Sequence, residues 1–229
     1  MLGGALRFFK EHDDILFIAH VAPDGDTLGS CLALYLLAQA LGKSAQVVCE
    51  EPVPVLYRFL PAADQVLMPE EARQAEAVMC VDCADLARAG ACRVFFDAAK
   101  YSFSVDHHDS NPGYAAGNYV RGVAATGELV YQVIRQLGVA ISKDIATCLF
   151  AAIATDTGNF SYANTTADTF RVTAALMEAG IDLPTINRCL FRTTPFRKLK
   201  LLGCAITKIQ LHCEGRLGMS LLTQADMRA

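Results

Sequence analysis

The sequence lacks any apolar run of the roughly 18–20 residues that a membrane-crossing helix needs. The nearest stretch, "LGSCLALYLLAQALG", is shorter, carries Gly and Gln, and reads as a buried helix. The opening residues, "MLGGALRFFKEHDD", are charged and contain no apolar core of the kind that marks a secretory leader. These two absences predict no membrane partner and a cytoplasmic location. An excess of basic residues is missing too: 20 Lys and Arg stand against 24 Asp and Glu, a net charge of -4. No broad basic surface for duplex DNA is therefore expected. Neither an internal repeat nor a low-complexity tract occurs. Charged residues are only 19% of the chain and apolar ones 53%, which excludes a disordered polymer. The 229 residues suffice for one large domain, or for one domain and a piece of another.

Nine cysteines are present, an odd number spread through apolar segments, and they read as reduced, buried thiols. Cys80 and Cys83 in "CVDC" have C-x-x-C spacing, but no second such pair exists to complete a zinc site. Core packing is the expected role, with a redox pair as the alternative.

Apolar periodicity alternates between short runs and longer helical patterns. "ILFIAHVA", "SAQVVCE", "EAVMCVDCAD" and "KYSFSVDHHD" read as strands. "DTLGSCLALYLLAQALGK", "TGELVYQVIRQLG", "SKDIATCLFAAIATDTG" and "TADTFRVTAALMEAGI" read as helices, the first capped by Asp26 or Thr27. "VPVLYRFLPAADQV" suggests a short helix and a turn. The alternation predicts an α/β fold: a mostly parallel sheet with helices on both faces. "DLPTINRCLFRTTPFRKLKLLGCAI" is helical and more basic, interrupted at Pro195. "TKIQLHCEGRLGMSLLT" reads as two strands joined by a turn at Glu214–Arg216. The expected division is a domain over 1–190, a helical linker over 191–206, and at 207–229 the start of a second α/β domain. A hairpin packed on the first domain is the alternative for the last segment.

Three polar clusters follow apolar strand runs: "HVAPDGD", "VDCAD" and "VDHHD". In a parallel sheet, ligands gather beyond the carboxyl ends of the strands, so these clusters converge on one edge. Asp24 and Asp26 are two apart, and in extended chain they point the same way. Asp82 ends the third run. Asp106, His107 and His108 end the next, and strand alternation predicts that the two histidines face opposite ways. Asp156 lies in "ATDTGNF" at the end of an apolar helix. Any one of these residues alone is ordinary turn, cap or core chemistry; the set is not. Two His and four Asp drawn from this set would make a mixed nitrogen and oxygen ligand set that suits manganese, magnesium or iron-type ions better than thiolate zinc. Six protein ligands are too many for one open catalytic ion and suit two ions sharing a carboxylate. Four carboxylates would offset the four positive charges of such a pair.

"HVAPDGDTLGS", "VDCAD", "VDHHDSNPG" and "ATDTGNFSYANTT", in this order between Phe8 and Leu190, resemble the four motifs of the DHH phosphoesterase superfamily. Within it, the bifunctional oligoribonuclease and PAP phosphatase (nanoRNase) proteins, with a core like that of the RecJ exonuclease, are the most similar group. The resemblance implies two divalent ions, manganese first and magnesium or another divalent ion as the alternative, and attack of a metal-bridging hydroxide on phosphorus. It implies that His20 and Asp24 hold one ion, that Asp26, His107 and Asp156 serve the other, and that Asp82 bridges both. His108 would face the substrate phosphate, and Asp106 would orient a neighbouring histidine. Thr126 in "AATGE" is a candidate substrate contact, with helix capping as the alternative. The implied substrates are short RNA or 3′-phosphoadenosine 5′-phosphate. Cyclic dinucleotides, pyrophosphate, single-stranded DNA, or a non-catalytic nucleotide-binding module are the alternatives, and a homodimer is left open. Relatives of this kind carry a second, DHHA1 domain with a Gly-rich "GGGH"-like motif. No such motif follows Gly203, and 207–229 would be the opening of that domain.

Overall fold

A computed structural model of the protein describes residues 1–228 and divides the chain into two compact units, Met1–Ile186 and Asn187–Ala229. In the first unit, six strands form one all-parallel sheet. They are β1 (Asp14–Ile18), β2 (Ser44–Val48), β3 (Val66–Leu67), β4 (Ala77–Val81), β5 (Tyr101–Asp106) and β6 (Gly117–Val120). The order across the sheet is β3-β2-β1-β4-β5-β6. Successive strands run outward from β1 on one side and from β4 on the other, so the order reverses between β1 and β4. The register aligns Ile18 with Val48 and with Cys80, and Val81 with Val105. The carboxyl ends of β1, β4 and β5 therefore lie side by side at the reversal, where such sheets leave a crevice.

The central strands are apolar because both their faces are covered. On one face Leu16, Ile18, Val78 and Cys80 pack with Cys83 of the turn after β4, with Ala89 and Cys92 of a 3-10 segment at Leu86–Cys92, and with Phe95 and Phe96 of α3 (Arg93–Asp97). Cys80 and Cys83 are thus buried free thiols in an apolar cluster. On the other side Phe17 stacks on Phe9 of α1 (Leu2–Glu11), their centroids 6.1 Å apart. Burying side chains of this size contributes about 1.5–3 kcal/mol each. The four strand runs seen in the sequence are strands here. β3 and β6 are additions: one is two residues long and the other, "GNYV", begins with Gly and Asn, so neither shows an apolar run.

Three helices carry the remaining site residues: α2 (Gly25–Ala40), α4 (Thr126–Gln136) and α5 (Lys143–Asp156). The cap of α2 is Asp24, two residues before the start expected from the sequence; its side chain accepts the N–H groups of Asp26 and Thr27 at 3.0 and 3.1 Å. Gly25 and Gly29 let α2 approach α5. A Cβ on Gly25 would lie 2.4 Å from Thr155 Oγ1, and one on Gly29 would lie 2.4 Å from the Cys148 carbonyl oxygen. The value of Gly25 is thus lack of bulk, with no left-handed backbone involved. Gly25→Ala is expected to destabilise the fold by about 1–3 kcal/mol through overpacking. A denaturant titration showing less than a few tenths of a kcal/mol would contradict this contact.

The second unit contains a π-helical turn at Arg188–Arg192, then α8 (Phe196–Thr207), following α6 (Ala167–Glu178) and α7 (Leu183–Asn187) in chain order. Pro195 sits at the cap of α8, where its missing N–H costs nothing. Strands β7 (Gln210–His212) and β8 (Leu217–Met219) form an antiparallel hairpin, and α9 (Gln224–Arg228) follows. The turn places Cys213, Glu214 and Gly215 at positive φ.

Candidate metal centre

The crevice at the β1/β4 reversal collects all the carboxylates and imidazoles singled out in the sequence. His20 follows β1, Asp24 caps α2, and Asp26 lies in the first turn of α2. Asp82 follows β4, Asp106 ends β5 with His107 and His108 beyond it, and Asp156 ends α5. Their ligand atoms form three groups, each within 4.8 Å: His20, Asp24 and Asp82; Asp26, His107 and Asp156; and Asp82, His107 and His108. Asp82 belongs to two of the three.

Asp82 Oδ2 lies 3.5 Å from His20 Nε2, and Oδ1 lies 3.6 Å from His107 Nε2 and 3.7 Å from His108 Nδ1. The residue is 2% exposed and sits at φ 61, a left-handed conformation for a non-glycine residue. Such strain persists where surrounding contacts fix it. Here the Asp82 N–H donates to the Val105 carbonyl at 2.9 Å and the Thr126 hydroxyl donates to Oδ1 at 2.8 Å.

The histidines are set by their Nδ1 atoms. His107 Nδ1 lies 3.0 Å from the Val123 carbonyl and donates to it. Its Nε2 is left toward Asp156 Oδ2 at 3.3 Å, Asp82 Oδ1 and, at 3.9 Å, Asp26 Oδ2. His20 Nδ1 lies 2.8 Å from the Val21 carbonyl, with Nε2 toward Asp82 and, at 3.6 Å, Asp24 Oδ1. Arg88 Nη2 stands 2.9 Å from the same His20 Nδ1, and only one of the two contacts is a hydrogen bond at a time. His108 differs: its Nδ1 pairs with Asp106 Oδ1 at 2.7 Å. The expectation that strand alternation turns His107 and His108 apart is corrected. The chain leaves the strand after Asp106, the two rings lie 4.3 Å apart, and both flank Asp82. Their different surroundings, a backbone carbonyl for one and a buried carboxylate for the other, separate them instead.

Asp24 and Asp26 do not point the same way either, because the chain is helical from Gly25 onward. Asp24 faces His20. Asp26 is fully buried among donors: Thr126 N–H at 2.6 Å, Gly127 N–H at 2.9 Å and the Ser30 hydroxyl at 3.1 Å. Thr126 is corrected as well. It is fully buried, with its amide on Asp26 and its hydroxyl on Asp82, so it positions two carboxylates where a phosphate contact was expected.

Sequence reasoning missed Asn111, Asn164 and Arg88. Asn111 Nδ2 donates to Asp106 Oδ2 at 2.7 Å and to the Cys83 carbonyl at 3.1 Å, tying the strand ends together. Asn164 Nδ2 bridges the carbonyls of Ala124 and Asp156 at 3.0 and 3.1 Å. Both asparagines sit in polar turns, where the residue type is ordinary. Arg88 carried no signal at all.

The residues fit divalent cations. No Lys or Arg forms an ion pair with Asp24, Asp26, Asp82, Asp106 or Asp156 among the described residues; their charged neighbours are histidines. Burial and the Asp82, Asp156 and Asp24 charges raise the Asp26 pKa well above normal. Burial and the other carboxylates push Asp156 up to about 6 against the pull of His107. Burial disfavours a charged His20, but Asp24 and Asp82 outweigh it and lift its pKa to about 10. The cluster draws positive charge, and its mixed oxygen and imidazole donors match hard or borderline divalent ions.

Asp106 and His108 form a separate couple. The Asp106 carboxyl is buried, which works against its ionisation, but the hydrogen bonds from His108 and Asn111 hold its pKa low. Asp106 in turn raises the pKa of the half-exposed His108. Asp106→Asn is expected to lower any activity that uses His108 about 10–100-fold, the usual cost of losing an orienting partner. Activity that needs protonated His108 would also fail at lower pH, because the carboxylate that favours the imidazolium is gone. An alkaline limb of the pH–rate profile that stays in place would contradict this coupling.

A doubly wound parallel sheet with carboxylate–imidazole groups gathered at its reversal point defines an α/β protein whose crevice has a ligand set that fits divalent cations. The chain belongs to the DHH family, whose N-terminal domain profile matches residues 14–153. It is 34% identical over 206 residues to the bifunctional oligoribonuclease and PAP phosphatase NrnA of Thermus thermophilus, covering 89% of this chain and 61% of that relative. It is 30% identical over 181 residues to a probable manganese-dependent inorganic pyrophosphatase of Streptococcus mutans, covering 74% of this chain and 56% of the other. An exopolyphosphatase-related protein from Bacteroides fragilis has a similar fold, with a TM-score of 0.86 and 25% identity over 92% of this chain and 66% of that one. The chain thus spans about three-fifths of the length of these curated relatives. No helix among the described residues is long and apolar enough to cross a membrane.

Proposed function

We propose that the chain is a divalent-metal-dependent phosphoesterase acting on short oligonucleotides and on 3′-phosphoadenosine 5′-phosphate. The observation that carries this is the place of Asp82, whose two oxygens face His20 on one side and His107 on the other. His20 and Asp24 would hold one ion; Asp26, His107 and Asp156 would hold a second; Asp82 would serve both. Two ions, with manganese first, are favoured by the ligand count and by the name of the Streptococcus relative. Such ions, when bound, supply Lewis acidity toward a phosphoryl oxygen and acidify a water enough to make it a nucleophile near neutral pH.

The chain's own residues do the rest. Thr126 and Gly127 fix the Asp26 carboxylate, and Thr126 also fixes Asp82, so the ligand cage is organised in advance. His107 and His20 present Nε2 because backbone carbonyls engage Nδ1. His108 is 40% exposed at its side chain and held by Asp106, which leaves its Nε2 for an anionic substrate oxygen. A protonated His108 would stabilise charge developing on phosphate. The substrate class follows the name of the Thermus relative.

A substrate panel tests the reading: an RNA dinucleotide, 3′-phosphoadenosine 5′-phosphate, cyclic di-AMP and pyrophosphate, each with manganese and with chelator. Manganese-dependent release from the first two supports it. Pyrophosphate or cyclic dinucleotide turnover alone would move the substrate class. Tight nucleotide binding without turnover of any of the four would leave a non-catalytic binding module.

A further inference from the structure

The unit Asn187–Ala229 is charged oppositely to the rest of the chain. Residues 187–229 hold eight Lys or Arg against Glu214 and Asp226, a net +6, while residues 1–186 stand at -10. Asp226 is already engaged: Lys208 Nζ lies 2.6 Å from each of its carboxylate oxygens. The unit therefore keeps its net positive charge after that pair is counted. It borders a cavity of about 590 Å³ whose lining includes Phe196, Arg197, Lys198 and Lys200, and also Asp226, the carboxylate already paired with Lys208. Arg197 and Lys198 are exposed and make no ion pair among the described residues. Phe196 is 75% exposed, directly beside them at the start of α8.

We propose that this cavity and the adjoining turn of α8 are a contact surface for a short single-stranded oligonucleotide. Arg197 and Lys198 would take backbone phosphates, and Phe196 would stack a base. The proposal rests on the reading of the metal centre as acting on oligonucleotides. A polyanion approaching a unit of charge -10 is repelled everywhere but at bound cations, so a cationic surface elsewhere on the same chain is what retains it. Cations that track a backbone, interleaved with an exposed aromatic ring, are the equipment of sequence-tolerant single-strand binding. The concavity favours a strand over a lipid surface, because an unstacked base enters a hollow and a bilayer meets convex faces.

The test is fluorescence anisotropy of 5′-labelled penta-uridylate RNA with the full chain in chelator, across a salt series. The parent is expected to bind with log K falling as log salt rises. Each phosphate contact contributes a slope of about 0.7 for single strands, so Arg197→Gln with Lys198→Gln should reduce the slope by about 1.4. Phe196→Ala should weaken binding roughly tenfold with the slope unchanged, because stacking releases no counterions. Binding by these variants equal to the parent, or a parent slope near zero, overturns the proposal. Binding only to phosphatidylglycerol vesicles overturns it in favour of a lipid surface. Hydrolysis of a small chromogenic phosphodiester by the unmodified chain with manganese reports on the metal centre separately. RNA binding without that hydrolysis would sink the catalytic reading and leave the surface standing; hydrolysis without RNA binding would sink the surface alone.

Discussion

Asp82→Asn is expected to lower kcat/KM for metal-dependent phosphoester hydrolysis by at least about 10³-fold, a loss of roughly 4 kcal/mol of transition-state stabilisation. The size follows from position. Asp82 is the one carboxylate whose oxygens reach both His20 and His107, so its replacement removes charge from both halves of the crevice. Loss of one preorganised electrostatic contact commonly costs about 10²–10³. Asparagine is the informative substitution. The backbone at φ 61 tolerates Asn, whereas alanine would add strain unrelated to the charge. The amide can still accept the Thr126 hydroxyl, which keeps the turn after β4 in place. Stability should change much less. Without metal, Asp82 is one of several like charges in a buried space but also pairs with the His20 imidazolium, so the two effects of a neutral amide oppose each other and the metal-free melting temperature should stay close to the parent's. Lost activity with a collapsed melting temperature would point to a folding defect. Near-parental activity would remove Asp82 from the bridging position.

The central strands β1 and β4 could be read from the sequence because they are buried almost throughout and carry an unbroken apolar run, and β2 and β5 because their buried ends still show one. The rule that ligands meet at carboxyl ends then places His20, Asp82, Asp106 and His107 at one edge from the order of residues alone. What could not be read is local. β3 and β6 pair through backbone, and two or four residues show no period. The spacing of Asp24 and Asp26 suggests an extended pair, because the choice between strand and helix at "PDGD" depends on the cap that Asp24 itself makes. Strand alternation puts His107 and His108 on opposite faces only if the strand continues past Asp106, and the sequence does not show that it stops there. Thr126 lies a hundred positions from Asp26, and only the folded contact between α2 and α4 reveals that it serves carboxylates. Arg88 and Asn111 likewise act through distant partners, and their neighbours in sequence give no sign of it.

Manganese at about a thousand times its Kd should raise the melting temperature by about 10 °C near pH 7.5. A ligand that binds only the folded state at that excess stabilises it by about 4 kcal/mol. For a chain of this length each kcal/mol corresponds to about 2–4 °C. The pH dependence of the metal-free protein should run in a stated direction. Asp156, raised to about 6, binds its proton more tightly folded than unfolded, and Asp26 is shifted the same way. Their contribution to stability therefore grows as pH falls from 7 through 6 toward the ordinary carboxylate range, and declines as pH rises through 6. His20, raised to about 10, adds stability that is complete below its unfolded value of 6.5 and is lost as pH climbs through 10. Cations occupying the crevice compete with these same protons, so the stabilisation by manganese should shrink as pH falls toward 5, and loading should release protons into a weakly buffered solution. Calorimetry in two buffers of different ionisation enthalpy measures that release directly. A melting temperature indifferent to millimolar manganese, or loading without proton release, would mean that the carboxylates around Asp82 are held for some other purpose. The crowding of like charges with only histidines as charged partners would then have no physical explanation in this fold.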